Sequence, residues 1–401
     1  MILMLLTEQA INKLVLAVQT KEPVTGLTHS FYNYPARFSP HFAREIIKAF
    51  TKPGDLVYDP FMGGGTTLVE ASALGRRAVG NDINSLAVFI AQAKTTLLSA
   101  AEIAEINNWT LTLPPKLNLH HPPVRAIEWA ELGYQRNINT KTTWRIRKLI
   151  ELALSHILEL PTEKQQRFAR CSLLKTAQWA LDCRKEVPIV SSFRNQLIRN
   201  INIMIESVEQ YATIIEERYG GSVPPCVCFC GSTDGIENSS QWDGLTSPSL
   251  ILTSPPYPGV HVVYHRWQIH GRKETPAPFW IANSLDGNGG AYYTFGDRRQ
   301  KHLTGYFEQT EANFASLAKV CNENTWIVQL IAFSDPTWQL DRYLTVMDDV
   351  GLTEIRLDQL ANSPDGRIWR DVPNRKWYAE QKGYTNSSKE VVLFHRLKHA
   401  P

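Results

Sequence analysis

Apolar positions recur along this chain with two alternating periods. Ile11, Leu14, Val15 and Val18 repeat every three to four residues, which predicts a helix over 7–20 with Thr7 as its cap. Ser39 followed by Pro40 has the form of a helix start, and the pattern continues to Phe50. A short apolar run at 56–58 then ends in Asp59, a glycine turn and a helix from Thr66 or Thr67 to Leu74. A second run, Ala78-Val79-Gly80, leads into Asn81-Asp82 and a helix over 85–98. The proline pairs Pro114-Pro115 and Pro122-Pro123 break the pattern. Residues 140–218 read as helix almost throughout. Strand-like runs return at 226–230, 249–253, 325–333 and 391–397, with helices over 304–320 and 340–350 between the later ones. Strands alternating with helices predict a parallel-rich α/β sheet that ends in a hairpin.

Composition changes this picture little. The chain has 401 residues, 43% hydrophobic, which suits two domains built on a sizeable core. A net charge of +3 leaves any nucleic-acid surface to local patches. Six cysteines are too few for a disulfide framework and suit a reducing compartment. The apolar start, Met1 to Leu6, is too short for a signal peptide, and no run reaches the ~18 residues of a membrane span. A cytoplasmic protein with no membrane partner is expected.

Two stretches carry chemistry. In Asp59-Pro60-Phe61-Met62-Gly63-Gly64-Gly65-Thr66-Thr67, residues without a Cβ let a ligand approach the backbone. Asp82, about 20 positions beyond at the end of the next strand, is placed to accept from ribose hydroxyls. The second stretch is Thr253-Ser254-Pro255-Pro256-Tyr257, a rigid turn after a buried strand. The Ser254 hydroxyl and the Pro255 carbonyl are acceptors that can engage the N–H groups of a ligand, and Tyr257 offers an aromatic face for stacking.

Together the two motifs resemble those of S-adenosylmethionine-dependent DNA amino-methyltransferases, over roughly residues 29–98 and 223–400. The resemblance implies a Rossmann-like methyltransferase fold: a mostly parallel seven-stranded sheet flanked by helices, here with a helical insertion. It implies cofactor contacts at Phe38, Ser39, Asp59, Pro60, Phe61, Gly63, Gly65, Thr66, Asp82, Asn84 and Asp234, and catalysis at Ser254, Pro255, Pro256 and Tyr257. The segment 29–40 would line the methionine end of S-adenosylmethionine, and Asp234 the adenine. Serine at the head of the tetrapeptide is usual for cytosine N4. The cofactor-first order is commoner in adenine-N6 enzymes, and similar tetrapeptides act on RNA. Double-stranded DNA is the implied partner, with a cognate restriction endonuclease as a further one.

Three segments follow: a cofactor half (1–112), a helical insertion as target-recognition segment (113–222), and a catalytic half (223–401). Arg145 and Arg147 in the insertion, with Arg298, Arg299, Arg375 and Lys376 in basic-aromatic loops, are the candidate phosphate contacts. Two rivals are weaker. Cys226 after a proline has the form of a cytosine-C5 nucleophile, but the nearest Glu-Asn-x, Glu323-Asn324-Thr325, precedes a strand. Cys226, Cys228 and Cys230 alternate at strand period, which suits a packed sheet face better than a metal site, and no metal is expected.

Overall fold

A computed structural model describes residues 7–20, 25–34, 39–122, 127–220, 224, 226–259, 266–271, 273–287, 293, 295–296, 300–371 and 389–398. Phe38, Arg298, Arg299, Arg375 and Lys376 lie outside these residues.

The first half runs α1 (Glu8–Gln19), α2 (Pro40–Phe50), β1 (Leu56–Asp59), α3 (Thr66–Ala73), β2 (Arg77–Asp82), α4 (Ser85–Thr95) and α5 (Ala100–Lys116). The helical region holds α6 (Ile127–Glu131), α7 (Trp144–Ile157), α8 (Glu163–Leu181) and α9 (Val190–Tyr219). Then come β3 (Val227–Cys230), β4 (Leu250–Thr253), β5 (Trp267–Ile269), β6 (Lys273–Thr275) and α10 (Ala277–Ala282). The last part is α11 (Thr304–Val320), β7 (Trp326–Ala332), α12 (Pro336–Asp349), β8 (Leu352–Glu354), β9 (Ile368–Asp371) and β10 (Lys389–Leu397).

The caps read from sequence form. Thr7 accepts from the Ala10 amide and Ser39 from that of His41, with Pro40 opening α2. The expected helix over 85–98 forms as α4 and ends at Thr95, and a further helix, α5, that was not expected follows it. Ser99 and Glu102 form a capping box that starts α5, and Pro114 and Pro115 lie inside its last turns. The expected boundary at 112/113 therefore falls within a helix.

The expected sheet of seven mostly parallel strands is, among the described residues, a mixed sheet of eight. Its order is β3-β2-β1-β4-β7-β10-β8, with β9 also on β10. The ladders from β3 to β7 are parallel, while β10 runs against β7, β8 and β9. The uninterrupted burial of β1 and β4 reflects helices covering both faces of the sheet. Reversal of β10 brings its first residues to the edge where the parallel strands end.

The helical region is not a separate body. One apolar cluster joins Phe31, Leu86 and Ile90 to Ile150, Phe168, Leu174 and Phe193, and α9 docks Tyr211 and Ile215 on Val69 of α3. Several of its basic side chains tie the layers together. Arg170 donates to the Ile281 carbonyl (3.0 Å), Arg194 to Leu117 (2.9 Å) and Lys148 to Leu119 (2.5 Å). No single helix among the described residues is long and apolar enough to cross a membrane.

Candidate active site

The glycine turn takes its shape from contacts that exclude side chains. Gly65 ends the turn with φ +72°, and a Cβ there would stand 2.9 Å from the Ala91 Cβ on α4. Gly63 (φ +46°) donates its amide to Asp82 Oδ2 at 2.9 Å, and Asn84 donates its own to Asp82 Oδ1 at 2.8 Å. Each Asp82 oxygen thus takes one backbone N–H and keeps a further lone pair. Burial outweighs both bonds and lifts the Asp82 carboxyl to about 6. Asn84 caps α4 through the Leu86 amide and donates its side-chain amide to the Tyr34 hydroxyl at 3.2 Å.

Buried Asn81 fastens the neighbouring turn. It accepts from Tyr58 at 2.6 Å and donates to the Gly231 carbonyl at 3.1 Å. Thr233 donates to the Pro60 carbonyl at 2.7 Å, so the 231–234 turn lies against the glycine turn. Asp234 is exposed at its rim. Phe61, half-buried, meets Phe295 and Phe314 edge-on and tilted. Thr66 is buried at the start of α3. Beneath the turn, buried Lys94 donates to the Gly64 carbonyl at 2.7 Å.

The two motifs meet at the ends of adjacent strands. Thr253 donates to Asp59 Oδ1 at 2.7 Å, and the Phe61 amide to the same oxygen at 3.2 Å. Asp59 is 1% exposed, and burial raises its carboxyl to about 6. Its side chain therefore links β1 to β4, and the next residue after Thr253 is Ser254. Pro255 is buried, and Tyr306 donates to the Pro256 carbonyl at 2.9 Å, which braces the turn. Ser254 Oγ lies 2.9 Å from the Leu330 carbonyl and 3.0 Å from the Tyr257 hydroxyl. Tyr257 donates to Glu390 Oε1 at 2.8 Å, and Arg370 pairs with Glu390 Oε2 at 2.8 Å.

The fold thus gathers Asp59 to Thr66, Asp82, Asn84 and Ser254 to Tyr257 at one edge of the sheet. Ser39 is engaged as a helix cap. Arg145 is exposed and stacks on Trp144 at 5.0 Å, whereas Arg147 is ion-paired with buried Glu151. Asn81, Thr233 and Glu390 were missed, because each depends on a partner more than 100 positions away. Tyr34 lay within the aromatic segment 29–40 and Arg370 beside the basic-aromatic loop of Arg375 and Lys376, but their partners Asn84 and Glu390 were not foreseen. Cys226 and Cys228 point into the sheet packing with sulfurs 3.9 Å apart, and Cys230 is exposed rather than packed with them. The Cys228 contact and burial hold the Cys226 thiol well above its usual range. It opens the outermost strand at the opposite end from Ser254, a poor nucleophile in the wrong place.

Residues 15–93 match the family described as DNA methylase (N6_N4_Mtase). The chain is 41% identical over 92 residues to the type II methyltransferase M.MvaI of Kocuria varians, covering 22% of this chain and 19% of that protein. It is 36% identical over 70 residues to M.MjaII of Methanocaldococcus jannaschii, covering 18% and 13%. It is 40% identical over 62 residues to the DNA adenine methyltransferase YhdJ of Escherichia coli, covering 16% and 21%. A solved rRNA methyltransferase, aviRa from Streptomyces viridochromogenes, overlaps 91% of this chain and 89% of its own at 10% identity and a TM-score of 0.35. The matched stretches span about a fifth or less of the curated relatives' lengths, and the family match falls on the segment that builds the glycine turn and Asp82.

Proposed function

We propose that this chain is an S-adenosylmethionine-dependent DNA methyltransferase acting on the exocyclic N4 of cytosine in a base flipped out of the duplex. The observation that carries the reading is the Thr253–Asp59 hydrogen bond at 2.7 Å, which fixes the serine tetrapeptide beside the glycine turn. The residues suit the cofactor: the Asp82 lone pairs fit ribose hydroxyls, and the turn has no room for a Cβ at Gly65. When bound, S-adenosylmethionine supplies an electrophilic methyl group. Ser254 and the Pro255 carbonyl accept the amino N–H groups and draw the lone pair out of conjugation, while Tyr257 stacks on the base. Catalysis is mostly orientation.

Adenine N6 is the second reading, favoured by the motif order and by the relative named as an adenine methyltransferase. An RNA amino group is the third. Double-stranded DNA and a cognate endonuclease are the proposed partners, and the match to a DNA methylase family supports the first. Arg145 and the loops bearing Arg298, Arg299, Arg375 and Lys376 are the proposed phosphate contacts, whereas Arg147 is engaged with Glu151 on its own helix, α7.

The test is to incubate the chain with S-adenosylmethionine and unmethylated bacterial DNA, digest to nucleosides and weigh them. N4-methylcytosine is expected. N6-methyladenine moves the assignment to the second reading, and methyl transfer to RNA alone ends the DNA reading. Ser254→Ala should lower the rate by about 10²–10³-fold with cofactor affinity unchanged.

A further inference from the structure

A serine hydroxyl is an ambiguous group for this chemistry. It carries one proton and two lone pairs, so it can meet a base as donor or acceptor. Only the acceptor form assists an amino nitrogen; the donor form would bond a ring nitrogen or carbonyl.

The surroundings of Ser254 remove the ambiguity. Glu390 and Arg370 are 4% and 7% exposed and form an ion pair at 2.8 Å. A carboxylate accepts only, and Glu390 Oε1 takes the Tyr257 proton at 2.8 Å. Tyr257 has no second proton, so its 3.0 Å contact with Ser254 requires Ser254 as donor. The Leu330 carbonyl, 2.9 Å away, attracts the same serine proton inward. Both acceptors lie within the fold, and the serine lone pairs are left for the substrate.

Resting on the amino-methyltransferase reading, we infer that Glu390, fixed by Arg370, is a positioning residue that polarises the chain Ser254→Tyr257→Glu390 and makes Ser254 an acceptor only. Glu390 touches no substrate. It gives a hydroxyl the hydrogen-bonding character of a carboxylate oxygen, and so selects an exocyclic amino group over a carbonyl. In Glu390→Gln the carboxamide N–H can donate to Tyr257, which then donates to Ser254 and occupies one of the serine lone pairs otherwise left for the substrate, while the serine proton stays on the Leu330 carbonyl.

The experiment measures transfer of labelled methyl from S-adenosylmethionine to unmethylated bacterial DNA by the full chain and its variants. Glu390→Gln should lower kcat by about 10–100-fold with the cofactor KM unchanged. The paired variant Glu390→Gln/Arg370→Gln, which leaves no lone buried charge, should match it in kcat while melting near the wild-type temperature. Tyr257→Phe keeps the ring and the ion pair but cuts the chain. Its kcat should fall by about 5–10-fold, because Leu330 still holds the serine proton. Adding Glu390→Gln to Tyr257→Phe should then change nothing further. A wild-type kcat in Tyr257→Phe or Glu390→Gln, or the same extra loss from Glu390→Gln in the phenylalanine background, overturns the inference while leaving the methyltransferase reading intact. A wild-type chain that methylates no DNA overturns the reading itself, and the inference with it.

Discussion

Asp82 is the residue whose ionisation is most exposed to experiment. Its carboxyl is raised to about 6 by burial, and hydroxyl donors stabilise only the ionised form. On the proposed cofactor reading, a ribose bound at Asp82 lowers that value, and proton and cofactor compete. Cofactor affinity measured by calorimetry should be flat above about pH 7 and fall up to tenfold per unit below about pH 6. Asp82→Asn should remove this dependence and weaken binding by about 1–3 kcal/mol. Asp82 was legible in the sequence because strand, glycine turn and spacing are local. The role of Asp59 was only half legible. Its place at the end of β1 was plain, but its partner Thr253 lies 194 positions away, so the brace it makes to β4 was not legible.

Among the elements, β10 carries the least obvious load. His395 is wholly buried between β7 and β8, with Nδ1 3.3 Å from Gln329 Nε2, and its Nε2 has no hydrogen-bond partner among the described residues. Burial lowers its pKa from 6.5 to about 4, so the folded chain holds it neutral while the unfolded chain protonates it. Its contribution to stability is complete above about pH 6.5 and is lost as pH falls towards 4. Asp59 and Asp82, raised in the fold, act in the opposite sense between about 4 and 6. Denaturant titrations of His395→Gln should show a shallower loss of stability between pH 6.5 and 4 than wild type. Unchanged steepness would contradict the buried neutral form. The closing strand was readable from its apolar run, whereas β5, β6, β8 and β9 were not. Each has only three or four residues and owes its form to a partner strand, not to its own pattern.

At the scale of the whole molecule, α7 to α9 were expected as an insertion with its own task, because basic residues recur along helical sequence. Periodicity reveals an apolar stripe but not what the stripe covers. Here it covers α3, α4 and the 29–34 segment, and Arg170 and Arg194 donate to carbonyls of neighbouring elements. Leu174→Ala, at a wholly buried position in that shared cluster, should cost about 2–5 kcal/mol. Cofactor-site and helical-layer probes should then unfold together. Two separate transitions would mean that the layers are independent domains.

The reversed last strand has a consequence for how the chain is made. Until β10 emerges from the ribosome, β7 presents a bare edge of apolar sequence, Trp326 to Ala332, with no partner on one side. Nascent chains stalled before residue 389 would hold every element of the cofactor half yet lack both Glu390 and the cover for β7. They are the species most exposed to strand-to-strand aggregation and to chaperone capture, and docking of β10 on β7 is the step that ends that exposure.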